Sequence, residues 1–313
     1  MKKVIIGIHG LRNKAPKDIL EQWWRLSILD GLEKYKVEEF DFELVYWADF
    51  NYSEPLDPEL TDEKGPLYIR FPYELPAKPS KNKLHKKLKK RIFDNIEKEM
   101  DKIFLKEKGF FGLDAVAEFT IHKMFTDLDI YYHGNCRAKP ELNAKNALRK
   151  VLANVLLKHK NKEIMLITHS MGSIISFDAL TQMVPETCID TFITLGSPLG
   201  IPIIMKKILQ EQEEEISKNV LISTPENIVN GWYNFADIDD DIAMNYNLSD
   251  DYGQNSKGIA PVDFLVHNRY EYRGEAHPHK VYGYLRTPEI SEIIFRFLSQ
   301  KQNFITKIKD IFD

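Results

Sequence analysis

Apolar residues fall in short blocks separated by turn residues, and the blocks alternate between two periods. Val4, Ile5, Ile6 and Ile8 form a nearly unbroken run over 3–8, the mark of a strand buried on both faces. Over 16–35, Ile19, Trp23, Leu26, Leu29 and Leu32 recur at helical spacing behind Pro16, which fits a first helical turn. Residues 40–47 read as a second strand, and 140–160 as a helix with Leu142, Leu148, Leu152, Val155 and Leu156 on one face. Further strands are expected at 164–168, 188–195, 231–236 and 262–266, and further helices at 174–180, 203–216 and 287–298. The apolar-acidic stretch 127–132 reads as extended. Strands that alternate with helices predict an α/β fold: a mostly parallel central sheet with helices on both faces.

One block breaks the alternation. Residues 51–80 carry six prolines together with Asn51, Ser53, Gly65 and Ser80, an irregular excursion. Beyond it, Leu84, Leu88, Ile92, Ile96, Met100 and Ile103 form a helical stripe, and 113–125 reads as a short helix. The chain therefore divides into a core, 1–50 and 127–313, and an inserted helical cap, 51–126. The basic run Lys81, Lys83, Lys86, Lys87, Lys89, Lys90 and Arg91 can contact anionic lipid at a membrane periphery, although a solvated helix face explains it more simply.

The centre of the pattern is 162–180, KEIMLITHSMGSIISFDAL. A strand breaks at His169-Ser170-Met171-Gly172 and an amphipathic helix follows. A serine at such an apex is held in a strained backbone conformation, and small residues must flank it two positions away because strand and helix nearly touch. Gly172 supplies one; Thr168 stands where glycine is commoner. Ser170 as an ordinary helix N-cap is the plain alternative.

Composition narrows the classes. A chain of 313 residues with 43% hydrophobic and 29% charged residues can bury a large core. A net charge of −4 argues against nucleic acid binding as the main activity. Cys136 and Cys188 are far apart and form no CxxC pair, which favours a reducing compartment over a disulfide framework or a zinc site. Cys188 and the Trp23-Trp24 pair are expected to be core. The opening apolar run is too short for a signal peptide, so the expected location is the cytoplasm.

The turn at Ser170 resembles the nucleophile elbow of the α/β-hydrolase superfamily, in the form His-Ser-Met-Gly seen in bacterial lipase-like and esterase-like members. His9-Gly10-Leu11 after the first strand resembles the family's oxyanion loop, and Gly196-Ser197-Pro198-Leu199 resembles a turn of the same members. The resemblance covers 1–50 and about 127–300. It implies that the backbone N–H groups of Leu11 and Met171 form the oxyanion hole. It also implies a triad acid on the loop after 231–236. There Asp240-Asp241-Ile242-Ala243 matches the family spacing, with Asp237 the alternate. A calcium loop from Asp237 fails, because its sixth position is Ile242 and its twelfth Leu248. The base falls just ahead of Tyr282-Gly283-Tyr284-Leu285 and a helix. His279 fits better than His277, and His267 reads as a buried strand end.

The chain order Ser170, Asp240, His279 is the one this superfamily uses. The implied function is a serine hydrolase that cleaves carboxylic esters through an acyl-enzyme, with no metal or organic cofactor. Its partner is a small-molecule ester, one with an apolar acyl chain if the aromatic residues Phe104, Phe110, Phe111, Phe119 and Phe125 line the cap. The rivals are a thioesterase, acyltransferase or amidase on the same fold, and a non-catalytic binding protein.

Overall fold

The computed structural model describes residues 2–75, 126–212, 221–240, 242–243 and 247–299. The expected cap helices over 81–108 and 113–125, the basic run at 81–91, Asp241 and the end of the expected 203–216 helix lie outside the described residues.

The chain begins with β1 (Lys3–Ile8), α1 (Lys17–Leu32) and β2 (Phe42–Val45). After the excursion come α2 (Thr126–His133), α3 (Ala144–Lys158) and β3 (Glu163–His169). Then follow α4 (Met171–Gln182), β4 (Ile189–Leu195), α5 (Pro202–Glu211) and β5 (Ile228–Asp237). The last elements are β6 (Pro261–Val266), α6 (Val281–Leu285) and α7 (Pro288–Ser299). Six strands form one sheet in the order β2-β1-β3-β4-β5-β6, and every neighbouring pair is parallel.

Period-two alternation splits the core into two layers. Val4, Ile6, Ile8, Ile164 and Leu166 join one cluster with Leu148, Leu152 and Leu156 of α3 and Ile174 and Phe177 of α4. Ile5, Met165, Ile167 and Phe235 join the other, with Trp24 of α1, Tyr284 of α6 and Ile294 of α7. The sheet is thus covered on both faces, as its apolar strands require. β1 leads outward to β2, whereas β3 leads the other way to β4. The carboxyl ends of β1 and β3 therefore flank the point where the winding reverses, the place where open α/β sheets hold their ligands.

Several expectations need correction. Residues 127–132 are helical, in α2, not extended. Asp127 and Asp129 suit the positive first turn of a helix, and the His133–Asp129 pair lies at i,i+4 spacing. Burial of Leu128, Ile130 and Tyr131 then decides the matter. Cys188 is exposed, because the strand it was assigned to starts one residue later, at Ile189. His267 falls just beyond β6, which ends at Val266, and its side chain is half exposed, not buried. α3 starts at Ala144, where the Asn143 side chain accepts from the Asn146 N–H and caps it. Beyond β6 the chain still makes a two-residue antiparallel pair, Glu271–Tyr272 with Glu275–Ala276. Of the tryptophan pair, Trp24 is fully buried and Trp23 packs at the edge of the same cluster.

Packing between α4 and β1 is tightest at Gly172. A Cβ there would lie 2.8 Å from the Ile8 carbonyl oxygen and 2.9 Å from that of His9. No rotamer relieves a clash with backbone. Gly172→Ala is therefore expected to destabilise the fold by ~1–3 kcal/mol net, despite alanine's better helix propensity. Urea denaturation measures it, and an unchanged midpoint would contradict the close approach.

Candidate active site

Ser170 stands at the junction of β3 and α4 with φ 53° and ψ −130°. That is the strained conformation the turn demands. Ser170 occupies the N-cap position, yet its side chain makes no capping hydrogen bond. The plain alternative, a serine that caps the helix, is thereby excluded for its hydroxyl. Its N–H donates to the Leu195 carbonyl at 3.0 Å, which ties the apex to the end of β4. Thr168 is accommodated where glycine is commoner because its hydroxyl donates to the Ile193 carbonyl at 3.0 Å. The Ser173 hydroxyl, 3.2 Å away, then donates to Thr168, since one hydroxyl carries one proton.

The loop after β1 is clamped against this apex. The Trp47 N–H donates to His9 Nε2 at 3.1 Å, so the ring proton sits on Nδ1 and is donated to the Gly10 carbonyl at 2.8 Å. Trp47 Nε1 donates to the His9 carbonyl at 2.9 Å and the two rings stack. Burial, helped by the nearby Lys14 charge, pushes the His9 imidazole well below its ordinary pKa and keeps it neutral. Gly10 faces the serine: a Cβ on it would come 2.7 Å from the Ser170 Cβ. Leu11 follows, and among the described residues its N–H has no hydrogen-bond acceptor. Met171 is the first residue of α4, where an N–H has no partner within the helix.

The structure brings Asp240 and His279 together. His279 Nδ1 lies 2.9 Å from each oxygen of the fully buried Asp240 carboxylate. The Tyr284 hydroxyl donates to Asp240 Oδ2 at 2.6 Å, and the Ile242 N–H to Oδ1 at 3.0 Å. Burial alone would raise this carboxyl, but His279, Tyr284 and Ile242 together hold it below the usual carboxylate range. An ionised carboxylate accepts only, so Nδ1 carries the proton and Nε2 is left with its lone pair.

Asp237 does a different job. Its carboxylate accepts from the Asp239 N–H at 2.8 Å and the Asn268 N–H at 2.5 Å, and its own N–H donates to the Tyr284 oxygen at 2.9 Å. Burial dominates and raises its pKa, the reverse of Asp240. His277 is also elsewhere, its ring 4.2 Å from that of Phe71. Ser197 accepts from the Leu199 N–H at 3.2 Å and shapes its own turn.

Four further residues shape the site, and their roles depend on partners remote in sequence. His169 Nε2 donates to the His279 carbonyl at 2.8 Å, with the rings 4.7 Å apart. Asn268 Nδ2 donates to the carbonyls on both sides of His279, Pro278 at 2.6 Å and Lys280 at 2.7 Å. Tyr284 bridges Asp240 and Asp237. Gly196, at φ 51°, makes room for the acid–base pair: a Cβ there would meet Asp240 Oδ2 at 2.6 Å and His279 Nδ1 at 3.1 Å. Its place in the Gly-Ser-Pro-Leu turn was the one available hint. Ser170 reaches the same rim through its neighbours, His169 in sequence and Leu195 by hydrogen bond. Its hydroxyl makes no direct hydrogen bond to His279 among the described residues. Nor, among those residues, is any group of three or more His, Cys, Asp or Glu side chains placed to hold a metal ion. No described helix is long and apolar enough to cross a membrane.

Residues 136–225 match a family described as an alpha/beta hydrolase of unknown function (DUF900). The matched stretch contains β3, the turn at Ser170, α4, β4 and Gly196, and ends before Asp240 and His279. No curated protein matches the chain. The six-stranded parallel sheet layered by helices is consistent with the α/β-hydrolase fold that the family match describes across its central turn.

Proposed function

We propose that the protein is a serine hydrolase of carboxylic esters, with Ser170 as nucleophile, His279 as general base and Asp240 as the triad acid. The observation that carries this reading is the Asp240–His279 hydrogen bond at the same sheet rim as a serine in the strained elbow conformation. His279 Nε2 takes the Ser170 proton as the hydroxyl attacks the carbonyl carbon. Asp240 holds the tautomer and stabilises the imidazolium. The N–H groups of Leu11 and Met171 receive the oxyanion, a contribution of ~3–4 kcal/mol for one donor. His279 returns the proton to the departing alcohol, and water cleaves the acyl-enzyme by the same relay. A serine–histidine bond that tightens only when substrate binds is consistent with this scheme.

Asp240 is favoured over Asp237 because its partners hold it ionised, whereas Asp237 has its pKa raised and braces the loop. An apolar acyl chain remains part of the proposal through the aromatic residues of 104–125, which lie outside the described residues. Two free thiols, Cys136 buried and Cys188 exposed, fit a reducing cytoplasm.

A fluorophosphonate probe is expected to label Ser170 alone, as located by mass spectrometry, and Ser170→Ala to abolish both labelling and ester turnover. Labelling elsewhere, or none, would end the hydrolase reading in favour of a binding protein. His279→Ala and Asp240→Asn are each expected to lower kcat by roughly 10³–10⁴-fold, with His277→Ala close to wild type. Should the two histidine variants exchange these behaviours, the base has been misassigned.

Tyr284→Phe tests the brace on the acid. Without the phenol the carboxylate binds its proton, and holds the imidazolium, more tightly. The acid limb of the kcat/KM pH profile is therefore expected to move to higher pH, with kcat down ~10-fold. A drop in kcat with an unmoved limb would mean that Tyr284 serves the fold alone.

A further inference from the structure

Three basic side chains border the site, and neither the fold nor the triad accounts for them. Arg12 directly follows Leu11, and Lys280 directly follows His279. Lys14 stands close to both: its Nζ donates to the Arg12 carbonyl at 2.9 Å, its ammonium is repelled by Lys280 and Arg12, and its charge is felt at His9 and His169. The loop that presents Arg12 is fixed. Arg12 has φ 72°, and its N–H donates to Asp127 Oδ2 at 2.6 Å. Lys280 is held by its own backbone, through the Asn268 bond to its carbonyl and its N–H bond to the His277 carbonyl at 3.0 Å.

Counter-charge is scarce there. Among the described residues the carboxylate beside Lys14 and Arg12 is Asp127, which is buried and already accepts from the Arg12 N–H and the Tyr52 hydroxyl. Lys14 Nζ donates to the Leu11 carbonyl and, at 2.9 Å, to the Arg12 carbonyl, which explains Lys14 in part as a loop brace. That role does not extend to the other two. Among the described residues neither the Arg12 guanidinium nor Lys280 Nζ meets a carboxylate, and Lys280 Nζ lies over the Phe71 ring at 4.6 Å. Burial and mutual repulsion bring Lys14 down to about 7, and burial and Arg12 bring Lys280 down to about 8. Lys14 and Lys280 are half-buried and Arg12 is exposed beside them. Like charges gathered so are unfavourable on their own, and an anion between them would offset the repulsion and the desolvation of the two lysines. The cluster is local, since the whole chain carries a net charge of −4.

We propose that Arg12, Lys14 and Lys280 form a subsite for a compact anionic group, a carboxylate or a phosphate, carried by the ester that Ser170 cleaves; its assignment to a substrate rests on the hydrolase reading above. The subsite borders both the oxyanion loop and the base, so the anion would sit within a few bonds of the reacting carbonyl. A fork-shaped guanidinium and two ammonium groups suit the several oxygens of such a group.

The test compares kcat/KM for matched esters on the full chain. One pair carries the charge in the acyl part, mono-p-nitrophenyl succinate against p-nitrophenyl butyrate. The other carries it in the alcohol part, 3-acetoxybenzoate against phenyl acetate. At least one anionic ester is expected to exceed its neutral partner by ~10-fold or more at low salt. That ratio should fall at least ~5-fold in Lys280→Gln and in Arg12→Gln, and be largely kept in Lys280→Arg. Ratios within about twofold of one in both pairs would overturn the subsite and leave the hydrolase reading standing. So would a ratio that Lys280→Gln and Arg12→Gln leave intact. If no ester turns over, the hydrolase reading falls, and calorimetric titration with inorganic phosphate decides the anion site by itself. Saturable binding weakened in both glutamine variants supports it, and no binding overturns it.

Discussion

Backbone touches backbone where α4 leaves the turn at Ser170, and the geometry of the site depends on that contact. Only hydrogen fits between Gly172 and the carbonyls of Ile8 and His9. Because α4 can lie that close, the end of β1 and the apex of β3 are drawn into one crevice. Gly10 then comes up against Ser170 from the opposite side. The strained φ of Ser170 is maintained by this packing and by its N–H bond to Leu195, not by any bond of its own hydroxyl. Rigidity here is useful in a specific way. In the proposed hydrolysis, neither the loop after β1 nor the serine would have to reorganise while charge develops on a carbonyl oxygen.

The opposite wall of the site is built from polar contacts instead. His279 lies on a loop, and a loop positions a side chain only if its backbone is held. Asn268 grips the carbonyls before and after it, and His169 grips its own. Asp237 in turn holds Asn268, and Tyr284 joins Asp237 to Asp240. Two carboxylates only three residues apart thus acquire opposite characters. Asp240 gathers a histidine, a phenol and an N–H and stays ionised. Asp237 is pulled the other way by burial and serves as a joint.

Much of this was legible in the chain. Unbroken apolar runs located β1, β3 and β4, because a strand covered on both faces leaves no room for polar alternation. The turn at Ser170 was readable because its residue types follow from local geometry. His279 and Asp240 were readable through spacing to a strand and to the Tyr-Gly-Tyr-Leu segment. What stayed hidden depends on partners remote in sequence. Nothing near Tyr284 announces a bond to Asp240, and nothing near His169 announces one to His279. The 127–132 stretch misleads for a related reason: its acidic and apolar residues alternate as in a strand, while burial against α3 and α4 selects the helix. Cys188 and His267 depart from the expected burial because a residue at either end of an apolar run can fall outside the layer that buries the rest.

Three histidines crowd the rim, and their surroundings divide the work among them. His9 and His169 are buried, and each gives its proton to a backbone carbonyl. A carbonyl stabilises an N–H donor but cannot neutralise an imidazolium, so burial drives both rings well below their ordinary pKa and leaves them neutral. His279 differs from both in its partner. Its Nδ1 faces an ionised carboxylate, and its side chain is about one-third exposed, 34%. A proton leaving Ser170 would therefore find a single acceptor able to hold it. The same division keeps added positive charge away from the oxyanion loop, where Lys14 and Arg12 already stand. Neutral His9 and His169 can brace that loop and the His279 loop without adding to the repulsion. In the proposed mechanism the proton's destination would thus be set less by which imidazole lies nearest the serine than by which one has a counter-charge behind it.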